Sequence, residues 1–94
     1  MEVGEDGTVR WYLNGRLHRE DGPAVICHSG TQFWYCHGMF HRVGGPAMTW
    51  PDGAQYWYER GQLHREDGPA VICHSGDELW CTNGVVWKPM LVKI

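Results

Sequence analysis

The stretch "LHREDGPAVICHSG" occurs twice in this chain, at Leu17–Gly30 and again at Leu63–Gly76. An imperfect copy, "FHRVGGPAMTWPDG", lies between them from Phe40 to Gly53, at a constant offset of 23 residues. This offset aligns three columns that each hold one residue type: Gly7, Gly30, Gly53 and Gly76; Trp11, Trp34, Trp57 and Trp80; Gly15, Gly38, Gly61 and Gly84. A fixed period of this kind is the signature of a repeat architecture. We therefore predict a single domain over residues 1–94, with repeats at about 7–29, 30–52, 53–75 and 76–94.

Each repeat predicts two short β-strands. The first resembles "TVRWYL", which is rich in aromatic and β-branched residues, and the second resembles "PAVICH", which a proline opens. Dipeptides that favour tight hairpins with a positive φ at glycine stand between a second strand and the next first strand: Asp6-Gly7, Ser29-Gly30, Asp52-Gly53 and Ser75-Gly76. The predicted strands are 8–13, 23–28, 31–36, 46–50, 54–59, 69–74 and 77–82. The fold class that follows is all-β, an antiparallel meander of four hairpin repeats in an extended twisted sheet.

The turn dipeptides also predict a strand register. If Ser29-Gly30 forms a two-residue turn, Ile26 faces Phe33 and Val25 faces Trp34. We expect Trp34 and Trp57 to be largely buried in that arrangement. The other connection, "NGRLHREDG" from Asn14 to Gly22, is predicted to be a longer loop on the opposite rim.

Composition limits the classes of function. The 94 residues carry a formal net charge of -3, which argues against duplex DNA or RNA as a partner because neutralising phosphates requires a clustered excess of Lys and Arg. No stretch approaches 18 apolar residues and the N-terminus has no signal-peptide pattern, so we expect no membrane contact and a cytoplasmic location. In that compartment the four cysteines are expected to be free thiols.

The repeat resembles a known family. A 23-residue period, a Trp followed by a turn glycine, a His three residues after that glycine, and a closing glycine at the tight turn resemble the MORN repeat, from about Gly4 to Lys88. Trp11, Gly15 and His18 match the family's unit, whereas Arg19 stands where glycine is typical. The form "WY.NG.LHREDGPA" is similar to HRxDGPA repeats of phage and giant-virus proteins. That resemblance implies a phage or viral protein in the cytoplasm of an infected host cell.

The His-Arg-Glu-Asp phrase is the first candidate site. Repeated arginines offer paired donors to phosphates, histidines add further donors, and exposed aromatic rings stack on bases. The candidate ligand-binding residues are His18, Arg19, His41, Arg42, His64, Arg65, Tyr12, Tyr35 and Tyr58. A structural alternative stays open, in which His18 bonds its own loop, Arg19 pairs with Glu20 or Asp21 across the next copy, and Asp21-Gly22-Pro23 makes the turn.

Neither a metal site nor a catalytic site is expected. The dipeptides Cys27-His28, Cys36-His37 and Cys73-His74 invite metal ligation, but adjacent strand residues point to opposite faces, and no CxxC spacing is present. Near-identical acid and base groups recur in several loops, which favours binding over turnover. No nucleophile or phosphate-loop motif is present either. We predict a protein that is not an enzyme, with no catalytic residue, no metal and no cofactor.

The predicted function is that of a small binding protein. The first hypothesis, which the resemblance makes specific, is a viral sponge that sequesters a small anionic, nucleotide-type signal of host immunity. The alternative is a protein-interaction or scaffold module that uses the sheet. Apolar residues in "MEVGE" and "MLVKI" would lie at the two sheet edges, which predicts a homo-oligomer that covers them.

Overall fold

The computed structural model describes residues 1–88, and these residues form fifteen short strands without a helix. The strands are β1 (Glu2–Val3), β2 (Val9–Arg10), β3 (Tyr12–Leu13), β4 (Arg16–Leu17), β5 (Val25–Ile26), β6 (Gln32–Phe33), β7 (Tyr35–Cys36), β8 (Met39–Phe40), β9 (Met48–Thr49), β10 (Gln55–Tyr56), β11 (Tyr58–Glu59), β12 (Gln62–Leu63), β13 (Val71–Ile72), β14 (Glu78–Thr82) and β15 (Val85–Lys88). The molecule is an elongated slab of 44 × 25 × 16 Å. The C-terminal "MLVKI", which the sequence places at a sheet edge, lies outside the described residues.

Nine of the strands form one open antiparallel sheet in the order β1-β2-β5-β6-β9-β10-β13-β14-β15. The remaining six form three two-stranded hairpins, β3–β4, β7–β8 and β11–β12, each inserted in a connection between neighbouring strands of the large sheet. The predicted all-β meander of hairpin repeats is confirmed. The tight turns at Gly7, Gly30, Gly53 and Gly76 lie along one rim and the inserted hairpins along the other, because successive strands of a meander alternate in direction.

The predicted register is wrong by one residue. Val25 lies opposite Phe33, and Ile26 lies opposite Gln32. The cause is the turn, in which the Gly30 N–H donates to the Cys27 carbonyl (2.9 Å) and the Cys27 N–H donates to the Thr31 carbonyl (2.8 Å). Three residues therefore form the loop rather than two, with Gly30 at φ 96° in the third position.

The predicted long loop after Asn14 is also wrong, because it begins with a hairpin. Asn14 and Gly15 both have positive φ, 52° and 77°, as a two-residue type I′ turn requires. Tyr12 and Leu13 pair with Leu17 and Arg16 across it. The same backbone forms at His37-Gly38, Arg60-Gly61 and Asn83-Gly84. Each predicted first strand of the first three repeats is consequently divided in two at its Trp, where the chain leaves the sheet to enter the hairpin.

The core consists of small residues rather than of tryptophans. Ala24, Ala47 and Ala70, the alanines of the Gly-Pro-Ala triplets, are completely buried. Their carbonyls accept the backbone N–H groups of Trp11, Trp34 and Trp57 at 2.6 to 2.8 Å. Trp34 and Trp57 themselves are only half-buried, which corrects the sequence expectation. The reason is the shifted register, which places an alanine where a larger partner was expected opposite each ring.

Candidate functional site

The three repeated histidines join each repeat to the next one. His18 Nδ1 accepts the N–H of His37 at 2.9 Å, and His41 and His64 accept the N–H groups of the residues 19 positions further on, Arg60 and Asn83, at 3.0 Å. Each donor is the first residue of a type I′ turn, whose N–H the histidine satisfies. The structural alternative is wrong about the partner of His18, because the hydrogen bond goes to the following repeat and not to the histidine's own loop. In a neutral ring this acceptor role leaves the proton on Nε2.

The three repeated arginines lie over the tryptophan rings of their own repeats. The Cζ atoms of Arg19, Arg42 and Arg65 lie 3.8 to 3.9 Å from the ring centroids of Trp11, Trp34 and Trp57. One terminal nitrogen of each arginine also donates to the carbonyl of the proline four residues on, at 3.1 to 3.2 Å. These guanidinium groups are therefore held in one orientation by ring contact and hydrogen bond together.

A glycine makes room for each guanidinium group. A Cβ atom on Gly22, Gly45 or Gly68 would lie only 3.0, 2.7 or 2.6 Å from the Cζ atom of the arginine three residues before it. None of these glycines has a positive φ. Close packing against the guanidinium, rather than backbone conformation, explains why glycine stands before each proline.

Carboxylates neutralise two of the three His-Arg loops, which are residues 18–22, 41–45 and 64–68. Arg19 pairs with Asp21 at 3.3 Å and Arg65 pairs with Asp67 at 3.2 Å. His18 Nε2 lies 3.5 Å from Glu20, and His64 Nε2 lies 3.7 Å from Glu66. The structural alternative is right that Arg19 pairs with a carboxylate of this phrase, but wrong that the pair crosses to the next copy, because Asp21 lies in the same loop as Arg19.

The central loop differs in charge. Val43 and Gly44 stand where the flanking loops have Glu and Asp, and within the described residues neither His41 nor Arg42 has a carboxylate partner. Burial lowers the pKa of Arg42, because desolvation disfavours its charged form. The loop thus presents a partly buried cation and a neighbouring imidazole without a compensating anion among the described residues.

The three candidate tyrosines do not share one environment. Tyr12 is 45% exposed on the first hairpin. Tyr35 stacks on Phe40 with a centroid distance of 4.5 Å, and Phe40 contacts Tyr58 at 5.0 Å, so that these three rings form a row across two repeats. Burial raises the pKa of Tyr35 and of Tyr58. We call Tyr35, Phe40 and Tyr58 the aromatic row.

An open groove of about 600 Å³ lies beside this row, between the first two repeats. Leu17, Val25, Phe33 and Tyr35 give it an apolar wall, and Arg10 is the cation in its lining. The sequence reasoning missed this groove because the predicted register did not place Val25 opposite Phe33. In the observed register Arg10, Val25 and Phe33 are successive cross-strand neighbours, so the correct turn length would have revealed them.

Three groups that can bind a metal meet at the first junction between repeats. Potential ligand atoms of His18, Cys36 and His37 all lie within 4.8 Å of one another. The sequence expectation separated Cys36 from His37 on opposite faces of a strand. His37 lies outside β7, in the turn at φ 50°, so strand alternation does not apply to this pair.

In comparisons with known proteins, no family model, no curated protein and no solved structure matches the chain. Among residues 1–88, no helix is long and apolar enough to span a membrane.

Proposed function

We propose that this chain is a non-catalytic binding protein whose ligand is a small anion of nucleotide type, and that the central His-Arg loop binds its phosphate. One observation carries the proposal: of three loops with the same backbone contacts, only this one leaves its cation without a carboxylate partner among residues 1–88. The sequence prediction emphasised Arg19 and Arg65, but both carry an aspartate partner. The ion pairs therefore shift the proposed site to Arg42 and His41.

Preorganisation supports this assignment. Arg42 is fixed by the Trp34 ring at 3.9 Å and by the Pro46 carbonyl at 3.2 Å, so binding an anion immobilises little further side-chain freedom. Ordering a free side chain at an interface costs about 0.5–1.5 kcal/mol of conformational free energy. At Arg42 most of this cost falls on folding and not on ligand binding. His41 adds a second donor, because its Nδ1 atom is engaged by Arg60 and its neutral ring carries the proton on Nε2.

The nucleotide class of the ligand is supported by the aromatic row. The Arg42 backbone N–H donates to the Tyr58 carbonyl at 3.0 Å, which connects the cationic loop to strand β11, where Tyr58 of this row lies. Aromatic rings stack on bases of any sequence, while a guanidinium provides paired donors to phosphate. Sequestration of a nucleotide-type immune signal, the role that the resemblance to phage and giant-virus repeats implies, is the form of binding we propose.

The flanking loops provide the variants for a test. Val43→Glu/Gly44→Asp gives the central loop the carboxylates of its neighbours, and we expect this change to abolish binding of cyclic dinucleotides or ATP in titration calorimetry. Gly44 has φ 83°, unlike Asp21 and Asp67, so Val43→Gln/Gly44→Asn is the matched control, which carries the same backbone strain without the charge and should still bind. The reverse change, Glu20→Val/Asp21→Gly, removes the carboxylates from the first loop and is expected to raise the stoichiometry from one site to two. Melting curves establish that each variant is folded. Unchanged binding by the Val43→Glu/Gly44→Asp protein would refute the proposal.

A second candidate function, a protein-interaction module, is favoured by the groove with its apolar wall of Leu17, Val25, Phe33 and Tyr35. The two functions differ in their response to salt. Phosphate binding weakens strongly as ionic strength rises, whereas docking of a protein on an apolar wall does not. Leu17→Asp in the groove should impair docking and leave nucleotide binding unchanged.

A further inference from the structure

We infer that His18, Cys36 and His37 form a binding site for one transition-metal ion, with Zn²⁺ as the best match, at the junction of the first and second repeats. Their potential ligand atoms already lie within 4.8 Å of one another. Zinc binds cysteine sulfur at about 2.3 Å and histidine nitrogen at about 2.0–2.1 Å, so tetrahedral ligand atoms lie roughly 3.5 Å apart. A closure of about 1 Å is within reach of the exposed His37 side chain.

The type I′ turn is what allows neighbouring residues to converge. Cys36 ends strand β7, and His37 follows it at φ 50°, where the alternation of a strand no longer applies. The His18 and His37 rings lie 4.5 Å apart between centroids, with a tilt of 43°. Two consecutive residues of the second repeat thus approach one histidine of the first repeat.

The chemistry of His18 defines which of its atoms binds. Nδ1 faces the turn, since it accepts the His37 N–H at 2.9 Å, and a metal ion bound there replaces that hydrogen bond. Nε2 keeps its proton and lies 3.5 Å from the Glu20 carboxylate. That distance is an ion-pair contact and not a hydrogen bond, but a small approach of the exposed Glu20 side chain would let Nε2 donate to the carboxylate, an arrangement that fixes a metal-bound histidine ring and raises its basicity. On binding, the Cys36 thiol loses its proton to solvent and the thiolate bonds to the metal, with no change of oxidation state.

Two imidazoles and one thiolate select for zinc and its chemical relatives over magnesium or calcium, which prefer oxygen. Three protein ligands leave the fourth tetrahedral position to water or to a group from another molecule. The other two junctions supply an internal comparison. His41 and His64 make the same backbone contact, but the residues at the ligand positions are Glu59 with Arg60, and Thr82 with Asn83.

The same comparison supplies substitutions that the fold already accommodates. Cys36→Thr and His37→Asn each introduce the residue that the last repeat has at that position, including an asparagine at positive φ. Cys73→Ser is the matched control, because Cys73 also precedes a histidine but lies in no such cluster among the described residues. His18 is left unchanged because it also holds the turn.

Titration with Co²⁺ and Zn²⁺ under reducing conditions tests the site. We expect one equivalent of Co²⁺ with a thiolate-to-cobalt absorption band, displacement by Zn²⁺, and a rise in melting temperature. Cys36→Thr should remove the band, His37→Asn should weaken binding at least about tenfold, and Cys73→Ser should bind like the wild type. Glu59→Cys/Arg60→His beside His41 should create a second equivalent. A wild type without a thiolate band, equal loss in the Cys73→Ser control, or full binding by Cys36→Thr would each overturn the proposal.

Discussion

Replacing Gly68 by alanine should destabilise the fold through Arg65 alone. The backbone of Gly68 suits any residue, since its φ is not positive, but the added Cβ would meet Arg65 Cζ at 2.6 Å. The guanidinium must then leave the Trp57 ring, 3.8 Å away, and the Pro69 carbonyl, 3.1 Å away. We expect the removal of these two interactions, and not strain in the backbone, to set the cost.

The magnitude follows from the interactions that the guanidinium makes in the wild type. A cation–π contact at an exposed site contributes about 0.5–1 kcal/mol, and a hydrogen bond from a charged group about 1.5–3 kcal/mol. The pair with Asp67 adds little, since that carboxylate is 87% exposed. Alanine also lowers the conformational entropy of the unfolded chain, which stabilises the folded state by about 0.4–1 kcal/mol. Gly68→Ala should therefore lower the free energy of unfolding by about 2 kcal/mol, or the melting temperature by roughly 10 °C for a domain of this size.

Urea unfolding of Gly68→Ala, Arg65→Ala and the double variant, followed by tryptophan fluorescence, measures the coupling directly. Once Arg65 is absent, the alanine at position 68 has nothing to displace, so the double variant should be no less stable than Arg65→Ala. Additive destabilisation would refute the reasoning. So would a stabilised Gly68→Ala protein, because it would show that the guanidinium does not occupy the space above the glycine.

Three further predictions concern protonation, reactivity and assembly. Burial raises the pKa of Tyr35 and of Tyr58. The stability that these shifts contribute is fully present below the unfolded pKa of about 10 and is lost as pH rises through the folded values. The melting temperature at alkaline pH should therefore fall less steeply in Tyr35→Phe/Tyr58→Phe than in the wild type. Burial also raises the pKa of the Cys81 thiol, which is completely inaccessible to solvent. Mass spectrometry should therefore find Cys81 alkylated after the other three cysteines in the native protein. Early labelling of Cys81 would contradict its burial. Edge strands β1 and β15 expose Val3 and Val85 at 61% and 64%, and we predict that a homo-oligomer covers these edges. Light scattering that gave 10.8 kDa at micromolar concentration would contradict this prediction.

The period and the turn dipeptides were enough to predict the meander, because glycines with positive φ do stand at Gly7, Gly30, Gly53 and Gly76. They were not enough to predict register. Ser29-Gly30 is compatible with a two-residue or a three-residue loop, and the choice depends on whether the residue before Ser29 joins the turn. That single residue changes every pairing partner along the strand.

The inserted hairpins illustrate a second limit. Asn14-Gly15 is a strong sequence signal for a type I′ turn, but the equivalent pairs His37-Gly38 and Arg60-Gly61 are not. Because equivalent positions of a repeat are expected to share one conformation, the sequence predicts a loop at all of them. For the same reason, the sequence does not predict the contacts within the candidate site. The stacking of Arg42 on Trp34 and the approach of Cys36 to His18 depend on where these hairpins fold back, which no residue spacing records.

Because each repeated histidine accepts a hydrogen bond from the turn of the next repeat, complete repeats can be added or removed without loss of the bonds between repeats. The partner of each histidine is always 19 residues ahead and the period is 23, so excising one complete period from the interior, such as residues 31–53, would present His18 with the N–H that now serves His41. Every donor would find an equivalent acceptor. A gene that gains or loses such a unit by unequal recombination therefore yields a longer or shorter protein with intact junctions. The number of proposed anion and metal positions along the molecule can change in that way without a new fold.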